Sequence, residues 1–243
     1  MEKKTNLNQV KEIANSLLMC DYGLTRFSPA IIDHPFTNSG IVTISNNKNE
    51  LEMLDITSDK NALRTWQNMI AKNINKSSDF CQIYNLINKP YRLLFVKLVA
   101  EYLSIEDLSI YLADAWISSE SPNQDPNVSK QEVVYLFKKA DPNYLMTKHE
   151  INRYNKLENE VLIYRGVTTY NQQNIQALSW TLDCERAEWF AQRYGENGKV
   201  YQAKINKKHI LSYINRRNER EVVVDPKYLK NIILLNESEL ENE

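Results

Sequence analysis

The chain has 243 residues, of which 42% are hydrophobic and 25% charged, enough to bury a core in one large domain or two small ones. Its 30 basic and 31 acidic residues leave a formal net charge of −1, so nothing draws the molecule as a whole to nucleic-acid phosphates or anionic lipid. A dedicated nucleic-acid or membrane-surface binder is therefore disfavoured, with Arg216-Arg217 the local basic patch to note.

The first half reads as mainly helical. Val10, Ile13, Leu17 and Cys20 recur on one face of residues 7–20, and Ala62, Trp66, Met69 and Ile70 repeat the spacing further on. Between them, residues 40–45 and 51–56 predict a hairpin turning through Asn46-Asn47-Lys48-Asn49. Residues 91–103 and 105–117 read as two packed helices, the second opened by Ser104 with Glu106 and Asp107 in its first turn, where carboxylates suit the helix dipole. The Pro, Ser, Asn and Asp of 118–128 mark a loop, and the domain boundary is set at 118/119.

Two helices with capping boxes follow, Ser129 with Glu132 and Thr147 with Glu150, the latter running through Leu157. The pattern then turns to short β-rich runs at 161–167, 177–182, 199–205, 221–225 and 232–235. A helix over 183–194 interrupts them, with Asp183 as N-cap, an inner stripe of Cys184, Ala187, Phe190, Ala191 and Tyr194, and Gly195 to end it. The acidic end, 237–243, reads as a solvated tail. The fold class expected is α+β, a helical N-terminal half followed by an antiparallel sheet with flanking helices.

Three short elements in the last third carry chemistry. Arg165, after Tyr164 at the end of an apolar strand, offers a permanently charged fork that matches a diphosphate, or else pairs with a carboxylate at a strand edge. Gly166 leaves room for a close approach to the backbone. Ser179 and Thr181 alternate along a strand and point to one face while Trp180 points to the other; such hydroxyls can bond a ribose and orient a carboxylate. Phe190 and Arg193, three apart, would be neighbours on the next helix, an aromatic face beside a cation, unless Phe190 is core. Glu219 and Glu221 would share one face of an extended segment, a pair that needs a cationic partner or a poised pKa, or that is merely exposed. No metal is expected: His34, His149 and His209 are scattered, and Cys20, Cys81 and Cys184 lack metal or disulfide spacing and read as buried thiols in a reducing compartment. The charged start and the short apolar stretch Leu17-Leu18-Met19-Cys20 fit neither an export signal nor a membrane span, so the cytoplasm is the expected location.

The order Tyr164-Arg165-Gly166, Ser179-Trp180-Thr181 with Ala187-Glu188-Trp189-Phe190-Ala191, and Asn218-Glu219-Arg220-Glu221 resembles the Arg–Ser–Glu class of mono-ADP-ribosyltransferases over about residues 161–226. The resemblance implies a split antiparallel β-sandwich around NAD, preceded by helices like those from about residue 129. It implies NAD as substrate, with Arg165 on a phosphate, Gly166 on the nicotinamide amide through its backbone, and Ser179 on the ribose and the catalytic glutamate. It further implies Thr181 shaping the strand, Phe190 near nicotinamide and Arg193 at the diphosphate. Glu221 would be the catalytic glutamate and Glu219 the acceptor-side one, which implies transfer to a protein arginine. Trp180 departs from the small residue the family often has there, and residues 1–118 are unexplained by it. Two further readings stand beside this one: a catalytically silent domain of the same type that grips a partner, and an NAD glycohydrolase or a transferase to a nucleic-acid base. Abundant Asn, Lys and Ile suggest an AT-rich bacterial or phage genome.

Overall fold

The computed structural model of the chain describes residues 3–45, 50–195 and 198–235, apart from the side chain of Tyr194. The expected turn at 46–49 and the acidic end at 237–243 lie outside the described residues. The chain divides into two compact units, Met1–Pro122 and Asn123–Glu243, the division falling inside the polar loop after Trp116. The class is α+β, and among the described residues no helix is long and apolar enough to cross a membrane.

Unit 1 is built from α1 (Leu7–Leu18), the short antiparallel pair β1 (Gly23–Leu24) and β2 (Ile32–Asp33), the hairpin β3 (Ile41–Ser45) and β4 (Leu51–Asp55), and four helices. These are α2 (Lys60–Lys76), α3 (Phe80–Tyr84), α4 (Arg92–Val99) and α5 (Ile105–Ser118). Of the predicted stripes only Val10, Ala62 and Trp66 are buried, while Ile13, Leu17, Met69 and Ile70 are half-buried; Ala14 and Leu18 of α1 and Ile74 of α2 complete the buried faces. Cys20, by contrast, falls beyond the end of α1 and is exposed, as is Cys81, so the free thiols are not the buried ones expected from the sequence. Ser104 caps α5 by accepting from Asp107 N.

Unit 2 opens with α6 (Lys130–Lys139), α7 (Pro142–Leu145) and α8 (Lys148–Asn155), and both predicted capping boxes are formed. Then come β5 (Glu160–Val167), β6 (Ser179–Thr181), α9 (Cys184–Ala191), β7 (Lys199–Asn206), β8 (Ile210–Ile214), β9 (Glu221–Val224) and β10 (Lys230–Leu234). The strands form one antiparallel sheet in the order β10-β7-β5-β6-β9-β8. Strand β8 was absent from the sequence reading, its five residues following a basic 3-10 turn, Lys207–His209. Helix α9 stops at Ala191 rather than 194, because the chain tightens into a 3-10 turn, Arg193–Gly195, that ends on Gly195 at φ +71°.

Alternation along the strands divides two cores. Val161, Ile163, Trp180, Tyr213, Val222 and Val224 pack on one side with Met146 and, from α8, Ile151 and Tyr154. Tyr164 and Val200 pack on the other with Ala187 and Ala191 of α9. Asp225, buried at the end of β9, accepts from Lys138 Nζ at 2.7 Å and ties α6 to the sheet.

The sheet is pinched in the middle. β5 and β7 pair over eight positions, but β5 meets β6 through one aligned pair, Tyr164 opposite Thr181. Beyond Tyr164 the two strands part, and there α9 presses on β5. A methyl group on Gly166 would stand 2.1 Å from Ala187 O and 2.6 Å from Ala191 N, so the packing of α9 against β5 requires a glycine here. Gly166→Ala is expected to push α9 off the sheet and lower the unfolding free energy by about 1–3 kcal/mol, measurable by urea denaturation.

Candidate active site

The parting of β5 from β6 brings Arg165, Ser179 and Glu221 together. Continuing the β5–β6 register would set Gly166 opposite Ser179; instead the pairing stops and Arg165 Nη1 donates to Ser179 O at 2.6 Å. The guanidinium takes the place of a ladder hydrogen bond. Arg165 is only 8% exposed, and its Nε has no hydrogen-bond partner among the described residues. Burial pulls this guanidinium down to about 10, opposed by the attraction of Glu221, so it remains a cation at neutral pH.

Glu221 opens β9 directly opposite Thr181, and is therefore on the same face as Ser179, one diagonal step along β6. Its carboxylate, on a residue 4% exposed, accepts from Ser179 Oγ at 2.5 Å through Oε1. A hydroxyl, a carboxylate and a guanidinium from three strands thus form one charged cluster, as the sequence reading required. Trp180 points the other way, into the core, with Nε1 donating to Ala177 O at 2.9 Å. Its bulk does not enter the cluster.

Thr181 is buried and its hydroxyl is committed elsewhere: Oγ1 donates to Glu219 O at 2.7 Å and accepts from Asp183 N at 3.1 Å. It ties the segment before β9 to the start of α9. Glu219 precedes β9, and Arg220 between the two glutamates has φ +45°. A left-handed residue breaks the two-residue alternation, so Glu219 and Glu221 do not share one strand face as expected. Glu219 Oε2 is instead held by Arg217 Nη2 at 2.9 Å, and Arg220 Nη1 reaches Asp183 Oδ2 at 3.2 Å. Arg216 is also engaged, donating to Leu145 O at 2.7 Å, so the expected open patch at 216–217 consists of paired arginines.

Phe190 and Arg193 stand at the end of α9 and in the turn after it. Phe190 is half-buried and edge-on to Trp189, with ring centroids 5.1 Å apart. Exposed Arg193 lies 5.7 Å from the Trp189 ring centroid, and Arg186 reaches the same ring at 5.6 Å. The two arginines flank an indole that is itself 51% exposed, an arrangement that i,i+3 spacing alone did not reveal.

Two contributors escaped the sequence reading. Asn123 Oδ1 accepts from both Leu178 N, at 2.9 Å, and Ser179 N, at 3.1 Å, fixing the entry to β6. Lys130, first residue of α6, donates to Gln176 O at 2.8 Å and to Asn174 Oδ1. Burial and, after it, the neighbouring Arg165 lower the Lys130 ammonium pKa, so a second cation stands near the cluster. Neither had a motif to announce it: one lies in a short 3-10 turn, Pro122–Gln124, the other at a helix start that reads as solvent-facing. Among the described residues no group of three or more His, Cys, Asp or Glu could hold a metal ion. His34 is buried beside Trp66, His209 stacks on Tyr228 and His149 is exposed.

Compared with protein-family models, with curated proteins and with solved structures, the chain matches none.

Ser179→Ala removes the hydroxyl from Glu221. Loss of a hydrogen bond to a charged group is expected to cost about 1.5–3 kcal/mol in denaturant unfolding with the fold retained.

Proposed function

We propose that unit 2 is an NAD-dependent mono-ADP-ribosyltransferase that modifies arginine side chains of a protein. The observation that carries this reading is the joining of Ser179 Oγ to Glu221 Oε1 at 2.5 Å, with Arg165 Nη1 on the carbonyl of the same serine. A sheet pinched to one residue pair between β5 and β6, with α6 to α8 ahead of β5 and α9 between β6 and β7, supports the finer assignment as a split β-sandwich.

The residues fit NAD as a substrate. Arg165 uses one nitrogen on Ser179 O and keeps a fork whose charge suits a phosphate oxygen. Lys130 and Arg193 are further cations in the same unit, and Phe190 supplies an aromatic surface. In the reaction the bond between ribose C1′ and the nicotinamide nitrogen breaks, and its electron pair leaves with nicotinamide, which departs neutral. Positive charge develops on the ribose. Glu221 is a fixed anion held by Ser179, so it stabilises this oxocarbenium-like state more than the ground state.

A guanidino nitrogen of the acceptor then attacks C1′ and gives up one proton. An arginine is protonated at ordinary pH and is a poor nucleophile until a carboxylate orients it and accepts that proton. Glu219 has this role, and it already binds a guanidinium, that of Arg217. An incoming arginine takes the place of Arg217 in this pair, whose side chains are 41% and 19% exposed. The products are nicotinamide, the ADP-ribosylated arginine and a proton.

Glu221→Gln is expected to lower transfer from labelled NAD to protein by about two orders of magnitude or more while the far-ultraviolet spectrum is unchanged. Transfer at the wild-type rate would refute the role of Glu221. Glu219→Ala should lose transfer yet keep NAD hydrolysis, read as nicotinamide release without labelled protein; loss of both in parallel would make Glu219 structural.

A further inference from the structure

The loop between β8 and β9, residues 215–220, carries Glu219 and is bent in a way its sequence does not favour. Asn218 has φ +57° and Arg220 φ +45°. Asparagine adopts this region readily, but arginine does so at a cost, and such a residue persists only where its surroundings over-determine it.

Those surroundings can be traced. Arg220 N donates to Asn215 Oδ1 at 2.9 Å, and Arg220 O accepts from Leu182 N at 3.1 Å. Asn215 N in turn donates to Glu150 Oε1 at 2.7 Å. Glu150 belongs to α8, is 2% exposed and divides its carboxylate: Oε2 accepts from Thr147 N at 2.7 Å and lies 3.5 Å from Arg216 Nη2. Burying a carboxylate is costly unless donors and cations satisfy its oxygens. Here those partners are the start of its own helix and two residues of the loop. Glu150 therefore does more than close a capping box, a task a half-exposed glutamate performs at Ser129 with Glu132.

We infer that Glu150 is a positioning residue which, through Asn215, fixes the strained loop so that Glu219 meets the acceptor in one orientation. The inference rests on the transferase reading. Glu221 belongs to β9 and is held by Ser179, so the clamp serves transfer and not cleavage of NAD.

The test uses the full chain with NAD and agmatine, a small guanidino acceptor, and compares wild type, Glu150→Ala and Asn215→Ala. Asn215→Ala leaves the α8 capping box intact and keeps the test decisive if Glu150→Ala does not fold. In Asn215→Ala, transfer to agmatine should fall at least tenfold while NAD hydrolysis stays within threefold of wild type. Amide exchange at Arg220 should quicken at least tenfold, with Val222 and Val223 unchanged. Parallel loss of transfer and hydrolysis, or unchanged exchange at Arg220, overturns the inference while leaving the transferase reading standing. A wild-type protein that neither transfers nor hydrolyses NAD overturns the transferase reading and, with it, the catalytic role of the clamp; exchange at Arg220 then reports only whether the loop is braced.

Discussion

Where β5 leaves β6, a backbone carbonyl that would have found an amide in a continuous sheet is met by the guanidinium of Arg165. Taking an arginine out of water costs several kcal/mol unless other charges compensate. Ser179 O and the attraction of Glu221 supply part of that compensation. The arrangement binds three strands to each other through polar groups at the point where apolar pairing stops. It also explains why a half-sheet boundary and a charged cluster coincide: the strands must separate for the guanidinium to enter, and the guanidinium must enter for the separated strands to stay satisfied.

The rest of unit 2 packs around this cluster from both sides of the sheet. Trp180 and Val222 turn their bulk into the core on the α8 side, and Tyr164 packs with α9 on the other. Asn123 and Thr181 hold the two ends of β6 from outside the ladder. Each of these contacts is ordinary in strength. Together they hold Ser179 and Glu221 in register across β6 and β9.

Much of this was legible from local patterns. Capping boxes at Ser129 and Thr147, the N-cap at Asp183 and the apolar alternation of 161–167 depend on residues a few positions apart, and all formed. The order of Arg165, Ser179 and Glu221 also pointed to their meeting. What the sequence did not disclose arises from contacts distant along the chain. Nothing near Gly166 in the sequence announces that α9 packs so close that a side chain would not fit there. Glu219 and Glu221 looked like strand neighbours because nothing in Asn-Glu-Arg-Glu announces a left-handed arginine, which is set by Asn215 and Leu182. Thr181 looked like a free hydroxyl because its acceptor is a carbonyl 38 residues on. Lys130 and Asn123 gave no signal, since their partners, Gln176 O for the one and Leu178 N and Ser179 N for the other, lie far along the chain.

Asn123 also sets a limit on how the molecule can be cut. Its side-chain oxygen satisfies two successive amides of the strand that bears Ser179, although it stands ahead of every regular α-helix of its own unit. A recombinant piece begun at the first of those helices, at Ser129, would look complete by secondary structure and yet would leave both amides, of Leu178 and Ser179, open. An excised version of this unit has to retain Asn123 as part of its leader.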